Sequence, residues 1–202
     1  SPTRRSSDLL GWNPGTDQEL FTMDELIREF SLERIIKSGS KFDPEKAKWF
    51  NHQYLIQKDD GEMALWFTED LKKKNLDFPL DYVTRAIRLV KERAFLLTDL
   101  WKESWFFFKR PDKYDENVVK KVWKEETSKI ISDVRIILNG LKEFDHTHIE
   151  ASVRAYVEDK SIGFGSVMNP LRLALIGSNQ GPGLTVVMEI LGKEEVMQRI
   201  TM

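Results

Sequence analysis

A predominantly all-α fold is predicted for this chain by three features of its sequence. Apolar residues recur at alternating steps of four and three over long stretches, helix-start signatures precede them, and strand signals are nearly missing, with Met63–Phe67 the sole candidate and equally readable as helix. The expected architecture is a small helical subdomain followed by an α-helical cage or bundle.

The first helix is marked by Thr22-x-x-Glu25, a capping box in which the hydroxyl accepts an amide three residues on and the carboxylate reaches back; Leu26, Ile27 and Phe30 supply its apolar face. The helical pattern restarts at Ser31–Arg34 and breaks at Lys37–Ser40. Asp43 before Pro44 reads as an N-cap followed by proline at the first helical position, with Ala47, Phe50, Asn51 and Tyr54 down one face. Gln57–Gly61 is a polar turn that closes the first subdomain.

Pro79 and Asp81 open the longest periodic stretch, in which Val83, Ile87, Val90, Ala94, Leu97 and Trp101 form one continuous helical stripe. Arg110–Pro111 ends it. A third long helix is expected from about Glu116, with Val119, Val122, Trp123, Ile130, Val134, Ile137 and Leu141 apolar and Gly140 near its end. Ile149, Val153 and Tyr156 mark another. After the Gly163–Gly165 loop, Asn169–Pro170 reads as a helix start, and Gly177–Gly183 as a turn between two short closing helices.

Composition narrows the classes. Hydrophobic residues make up 41% and aromatics 11% of 202 residues, ample for a packed core. No apolar run approaches the roughly 18 to 20 residues of a membrane-spanning helix, so no membrane role is expected. Cysteine is absent, which excludes disulfides and thiolate metal sites. With 31 basic and 33 acidic residues the net charge is -2, so any nucleic-acid binding must come from local clustering of cations.

Several groups invite a functional reading, each beside a plainer one. Lys37, Lys41, Lys46 and Lys48 crowd one segment and suit either a phosphate-contacting surface or a solvated helix face. Arg172 either touches a ligand or is structural, its guanidinium bridging carboxylates or the Gly181–Pro182 loop while its stem packs. Trp101, Trp105, Phe106, Phe107 and Phe108 are the densest aromatic cluster; base stacking is one use, but the helical spacing of Trp101, Trp105 and Phe108 places those three in the core. His146-x-His148 faces two ways on a helix without a carboxylate or cysteine set to complete a metal site, and no nucleophile or acid–base pair is assignable, so no catalytic or metal residues are expected.

Two segments carry a family resemblance. Near the beginning stand Leu9, Leu10, Gly11 and Trp12, then Phe42, Asp43, Lys46, Trp49, Asn51 and Tyr54; near the end stand Pro170, Leu171, Arg172, Gly177, Gly181, Pro182, Leu191, Gly192, Arg199 and Ile200. In this order they resemble the C-terminal half of bacterial glutamyl-tRNA synthetases, class I enzymes. Ala47 and His52 depart from the residues many members carry there, and the family's His-x-Gly-His and Lys-Met-Ser-Lys-type signatures do not occur.

The resemblance implies a tRNA-stem-contacting subdomain over residues 10–67 and a helical anticodon-binding region over 68–202, with an internal boundary near 141–148. Lys41, Lys46, Lys48, Asn51 and Arg172 are the tRNA-binding candidates. The implied partner is a glutamate-accepting tRNA and not DNA, in the cytoplasm. ATP and Mg would serve the parent enzyme's N-terminal catalytic domain, with no cofactor in this part. Residues 1–9 are polar and unpatterned, resemble the translation of a sequencing-library adapter, and are expected to be a non-native scar. The rival class is a helical protein-interaction module whose long amphipathic stripe docks a partner helix without RNA.

Overall fold

The computed structural model describes residues 12, 15–18, 20–35, 44–114 and 116–201. The expectations for residues 1–9, the Lys37–Ser40 loop, Lys41 and the Asp43 cap lie outside them. The described part is helical throughout, and its only β pairing is an isolated antiparallel bridge between Trp12 and Ile35. It divides into two compact units, one running to Asp59 and including Lys91–Leu100, the other comprising Asp60–Val90 and everything from Trp101.

In the first unit, α1 (Met23–Glu29) has both legs of its capping box: Thr22 Oγ1 accepts from the Glu25 amide at 3.2 Å, and the Thr22 amide donates to Glu25 Oε2 at 2.6 Å. A 3-10 turn follows at Leu32–Arg34. Beneath them Trp12 is buried, its indole N–H donating to the Ser31 carbonyl at 3.2 Å and its ring 6.1 Å from Phe21, edge to face. In α2 (Pro44–Gln57) Phe50 and Leu55 are buried. The polar turn after it shrinks to Lys58–Asp59, where this unit's first segment ends.

The predicted continuous stripe does not form one helix. α4 (Leu80–Val90) stops in a 3-10 turn at Lys91–Arg93, and α5 (Asp99–Phe108) begins after an irregular stretch. No glycine or proline marks the break. Side chains instead take the backbone groups that a continuing helix would have used: Asp99 Oδ2 accepts from the Phe95 and Leu96 amides at 3.1 and 2.9 Å, and His52 Nδ1 donates to the Ala94 carbonyl at 2.8 Å.

The second unit holds α3 (Asp60–Lys73), α4, most of α5, α6 (Glu116–Val122), α7 (Thr127–Gly140), α8 (His146–Asp159), α9 (Gly165–Ile176), α10 (Leu184–Leu191) and α11 (Lys193–Arg199). The ambiguous Met63–Phe67 segment is helix, and α3 runs without interruption across the 67/68 boundary expected between domains. α3 packs on α4, α9 on α6 and α7, and α8 on α7 and α10. Residues 141–145 are the short connection between the packed helices α7 and α8.

Two further expectations need correction. The third long helix is two helices, because the Thr127 hydroxyl turns back to accept the Lys124 amide at 2.8 Å and so ends α6 and starts α7 with Thr127 buried. Pro170 does not open its helix. α9 begins at Gly165 with a tightened first turn, Ser166 N–H to Gly163 C=O at 2.9 Å, and Pro170 lies buried inside.

A buried cation ties the helix ends together. Arg199, with a side chain only 3% exposed, donates Nη1 to the carbonyls of Phe106 (2.7 Å) and Leu175 (2.8 Å) and Nε to Glu195 (2.7 Å). Glu195 also accepts from Arg110 Nη2 at 2.8 Å, and those hydrogen bonds hold its carboxyl below the usual range.

Candidate nucleic-acid interface

Lys46, Lys48 and Asn51 all lie on α2, but not on one face. Two residues along a helix are about 200° apart, and the contacts follow: Lys46 reaches back over the Phe50 ring at 5.8 Å, whereas Lys48 sits 4.5 Å over Phe95, whose ring also lies 5.0 Å from His52. Asn51 is exposed, one turn from Lys48. Lys48, Asn51 and the partly exposed Trp49 thus offer an ammonium, an amide and an indole from the first unit. The helical angle between Lys46 and Lys48 was readable from the sequence.

Arg172 belongs to the second unit. Its Nη1 donates to the Pro182 carbonyl at 2.9 Å, which closes the turn from α9 to α10. That turn depends on its glycines. Gly177 caps α9 in the left-handed conformation at φ 77°, its amide bonded to the Leu173 carbonyl at 2.8 Å, and a Cβ there would meet Pro111 Cβ at 3.1 Å. The loop-bridging role weighed for Arg172 therefore has its hydrogen bond, and the residue is partly buried.

The aromatic cluster is sorted differently from expectation. Phe106, Phe107 and Phe108 are all buried, while Trp101 and Trp105 are only partly so. Tyr82 joins these rings, donating its hydroxyl to the Phe107 carbonyl at 2.8 Å, and burial pushes its pKa up to about 12.

His148 does have carboxylates near it, contrary to the sequence reading. Its Nδ1 lies 2.7 Å from Asp145 and its Nε2 3.5 Å from Glu143, while His146 turns to Glu189 at 2.7 Å. Asp145 is also the N-cap of α8, accepting the His148 amide at 2.9 Å. Glu143, Asp145 and His148 come within 4.8 Å of one another as mutually satisfied surface groups. Spacing alone hid them because Glu143 and Asp145 precede the helix that carries the histidines.

Acids and bases balance to within one charge in each unit, so neither presents a global field toward phosphate. No helix among the described residues is long and apolar enough to cross a membrane. Val83, Ile87, Val90 and Ala94 of the long stripe are fully buried, so that part of it is not open to a partner helix.

Among the described residues the second unit is an all-α domain of packed helices whose α9–α10 turn is closed by Arg172. Residues 61–202 match the family described as anticodon binding domain, and the chain belongs to that family. It is 46% identical over 192 residues to a glutamate–tRNA ligase of Flavobacterium psychrophilum and 43% identical to one of Porphyromonas gingivalis, in each case over 95% of this chain. A solved glutamate tRNA ligase of Elizabethkingia meningosepticum, in complex with its amino acid, superposes with a TM-score of 0.90 at 38% identity over 95% of the chain. One from Elizabethkingia anophelis gives 0.87 at 36%. The chain spans 38% of the length of these relatives.

Proposed function

We propose that this chain is the tRNA-binding, C-terminal part of a cytoplasmic glutamate–tRNA ligase. It holds a glutamate-accepting tRNA by its stem and anticodon while a catalytic domain elsewhere in the polypeptide uses ATP and Mg to charge the distant end. The observation that supports this best is the joint one: membership of the anticodon-binding family from α3 to the last helix, and close superposition on two glutamate tRNA ligases. Unpaired anticodon bases are where sequence-specific RNA contacts are usually made, by stacking and edge hydrogen bonds. Lys46, Lys48, Asn51 and Arg172 remain the assigned tRNA contacts in this reading, with Lys41 in the segment before α2. The stem-contacting part corresponds to residues 10–67 and the anticodon-binding part to 68–202.

The test is fluorescence anisotropy of a labelled glutamate tRNA with the 202-residue chain over a salt series, beside the same tRNA with an altered anticodon. Binding should weaken with salt, log K falling by about 0.7 to 0.9 per contacted phosphate for each tenfold rise, and should weaken further when the anticodon is changed. Equal binding of both tRNAs would remove anticodon reading, and no binding at all would remove the RNA function.

A further inference from the structure

We infer that the groove between α6, α7, the α8–α9 connection and the first turns of α9 is a seat for the sugar–phosphate backbone of bound RNA, an inference that rests on the RNA-binding function proposed above. The groove has a volume of about 490 Å³, and every residue lining it belongs to the second unit. Lys121 and Lys124 stand on one side; Gly163, Gly165, Ser166 and Asn169 form the other, all four exposed. Lys124 is turned along α6, its ammonium donating to the Lys120 carbonyl at 3.1 Å. Lys121 makes no ion pair among the described residues. Glu126 is the single carboxylate on the lining, so the cations outnumber it.

The two glycines carry the argument further. Gly163 has no positive φ, and a Cβ built on it would come no closer than 3.8 Å to the Ser166 hydroxyl, an ordinary contact. Neither backbone conformation nor packing asks for glycine there. A wall without a side chain is what a closely approaching ligand requires. A Cβ on Gly165 would come within 3.3 Å of Asn169 Nδ2 and displace an amide that lines the same groove. Ammonium, amide and hydroxyl donors facing one groove match a phosphodiester, whose oxygens only accept. Such contacts fix the register of an RNA strand without reading its sequence.

Three variants of the 202-residue chain test this with the tRNA salt series: the double variant Lys121→Gln/Lys124→Gln, its charge-keeping counterpart Lys121→Arg/Lys124→Arg, and Gly163→Ala. The glutamine pair should bind tRNA about tenfold more weakly at low salt, with the log K against log salt slope reduced by about one to two. The arginine pair should keep the wild-type slope. Gly163→Ala should leave the thermal midpoint unchanged or higher, since alanine restricts the unfolded chain, yet weaken tRNA binding at least about threefold. Wild-type affinity and slope in both the glutamine pair and Gly163→Ala would overturn the groove assignment while leaving the broader function standing. Failure of the unmutated chain to bind tRNA would overturn both.

Discussion

In the second unit Phe67, Leu71, Val83, Ile87, Leu138, Ile149, Leu171 and Leu175 are out of contact with water, drawn from five different helices. In the first, α1 buries no residue at all, and Ile27 and Leu32 stand 70% and 72% exposed, with Phe30, Ile35 and Trp49 also open. One unit is held by long-range packing. The other buries a smaller set, Trp12, Phe21, Phe50, Leu55, Ala94 and Leu100, and around α1 relies on single ties: a capping box, an indole bonded to a carbonyl and an isolated bridge. A helix as short as α1 has little stability of its own in water, so the first unit should open locally at a free energy well below that of global unfolding.

The largest expected effect tests that contrast. Phe67→Ala empties a fully packed site in α3 and should cost about 3 to 5 kcal/mol. Ile27→Ala, which removes side-chain atoms already in water, should stay within about 0.5 kcal/mol. Urea unfolding of the whole chain followed by helical circular dichroism measures both. Equal costs would mean that Ile27 packs in a way that its exposure does not show.

A smaller effect sharpens it. Thr22→Ala removes the hydroxyl that accepts the Glu25 amide while leaving the reverse bond from the Thr22 amide in place, a loss of about 1 kcal/mol. In a packed helix that would be absorbed, but in α1 it is expected to melt the helix. Amides of Leu26 and Phe30, each bonded to a carbonyl at 2.9 Å, should exchange markedly faster, with no change in α3 or α9. Unchanged protection in α1 would show that something other than its cap holds it.

That same cap shows what the sequence makes legible. Thr22 and Glu25 are three residues apart and need no partner from elsewhere in the chain, so their pattern could be read directly; Asp145, which the sequence reading passed over, caps α8 by the same logic. The helix breaks after Val90 and Val122 were not legible, because Asp99 and Thr127 are ordinary helix residues until their side chains turn back on preceding amides. The apolar stripe remained periodic across the first break because Val90 and Ala94 are both buried, although in different units. For the site, Arg172 bridging the Gly181–Pro182 loop was among the stated alternatives. The groove beside Lys121 needed two helices and a glycine loop, some forty residues apart in sequence, to be brought together.

The smallest effect concerns surface charge on the well-packed unit. His148 is raised above its ordinary 6.5, first by its hydrogen bond to Asp145 and then by that carboxylate's charge, with Glu143 adding to it. Asp145 is lowered from 3.8, first by the backbone amide of His148 and then by its ring. Protonated His148 therefore favours the folded helix start below 6.5, and that contribution is lost as pH rises through its folded value. Ionised Asp145 contributes above 3.8 and is lost as pH falls through its own. The pair acts fully between those limits, at a helix N-terminus whose dipole would otherwise disfavour a cation. Asp145→Asn should return the His148 titration, followed by its ring-proton NMR shift, toward 6.5 or below, while the global unfolding midpoint barely moves because the group lies at the surface. A large fall in that midpoint would mean that the second unit leans on its surface as the first does, and the division between packed and locally tied regions would no longer hold.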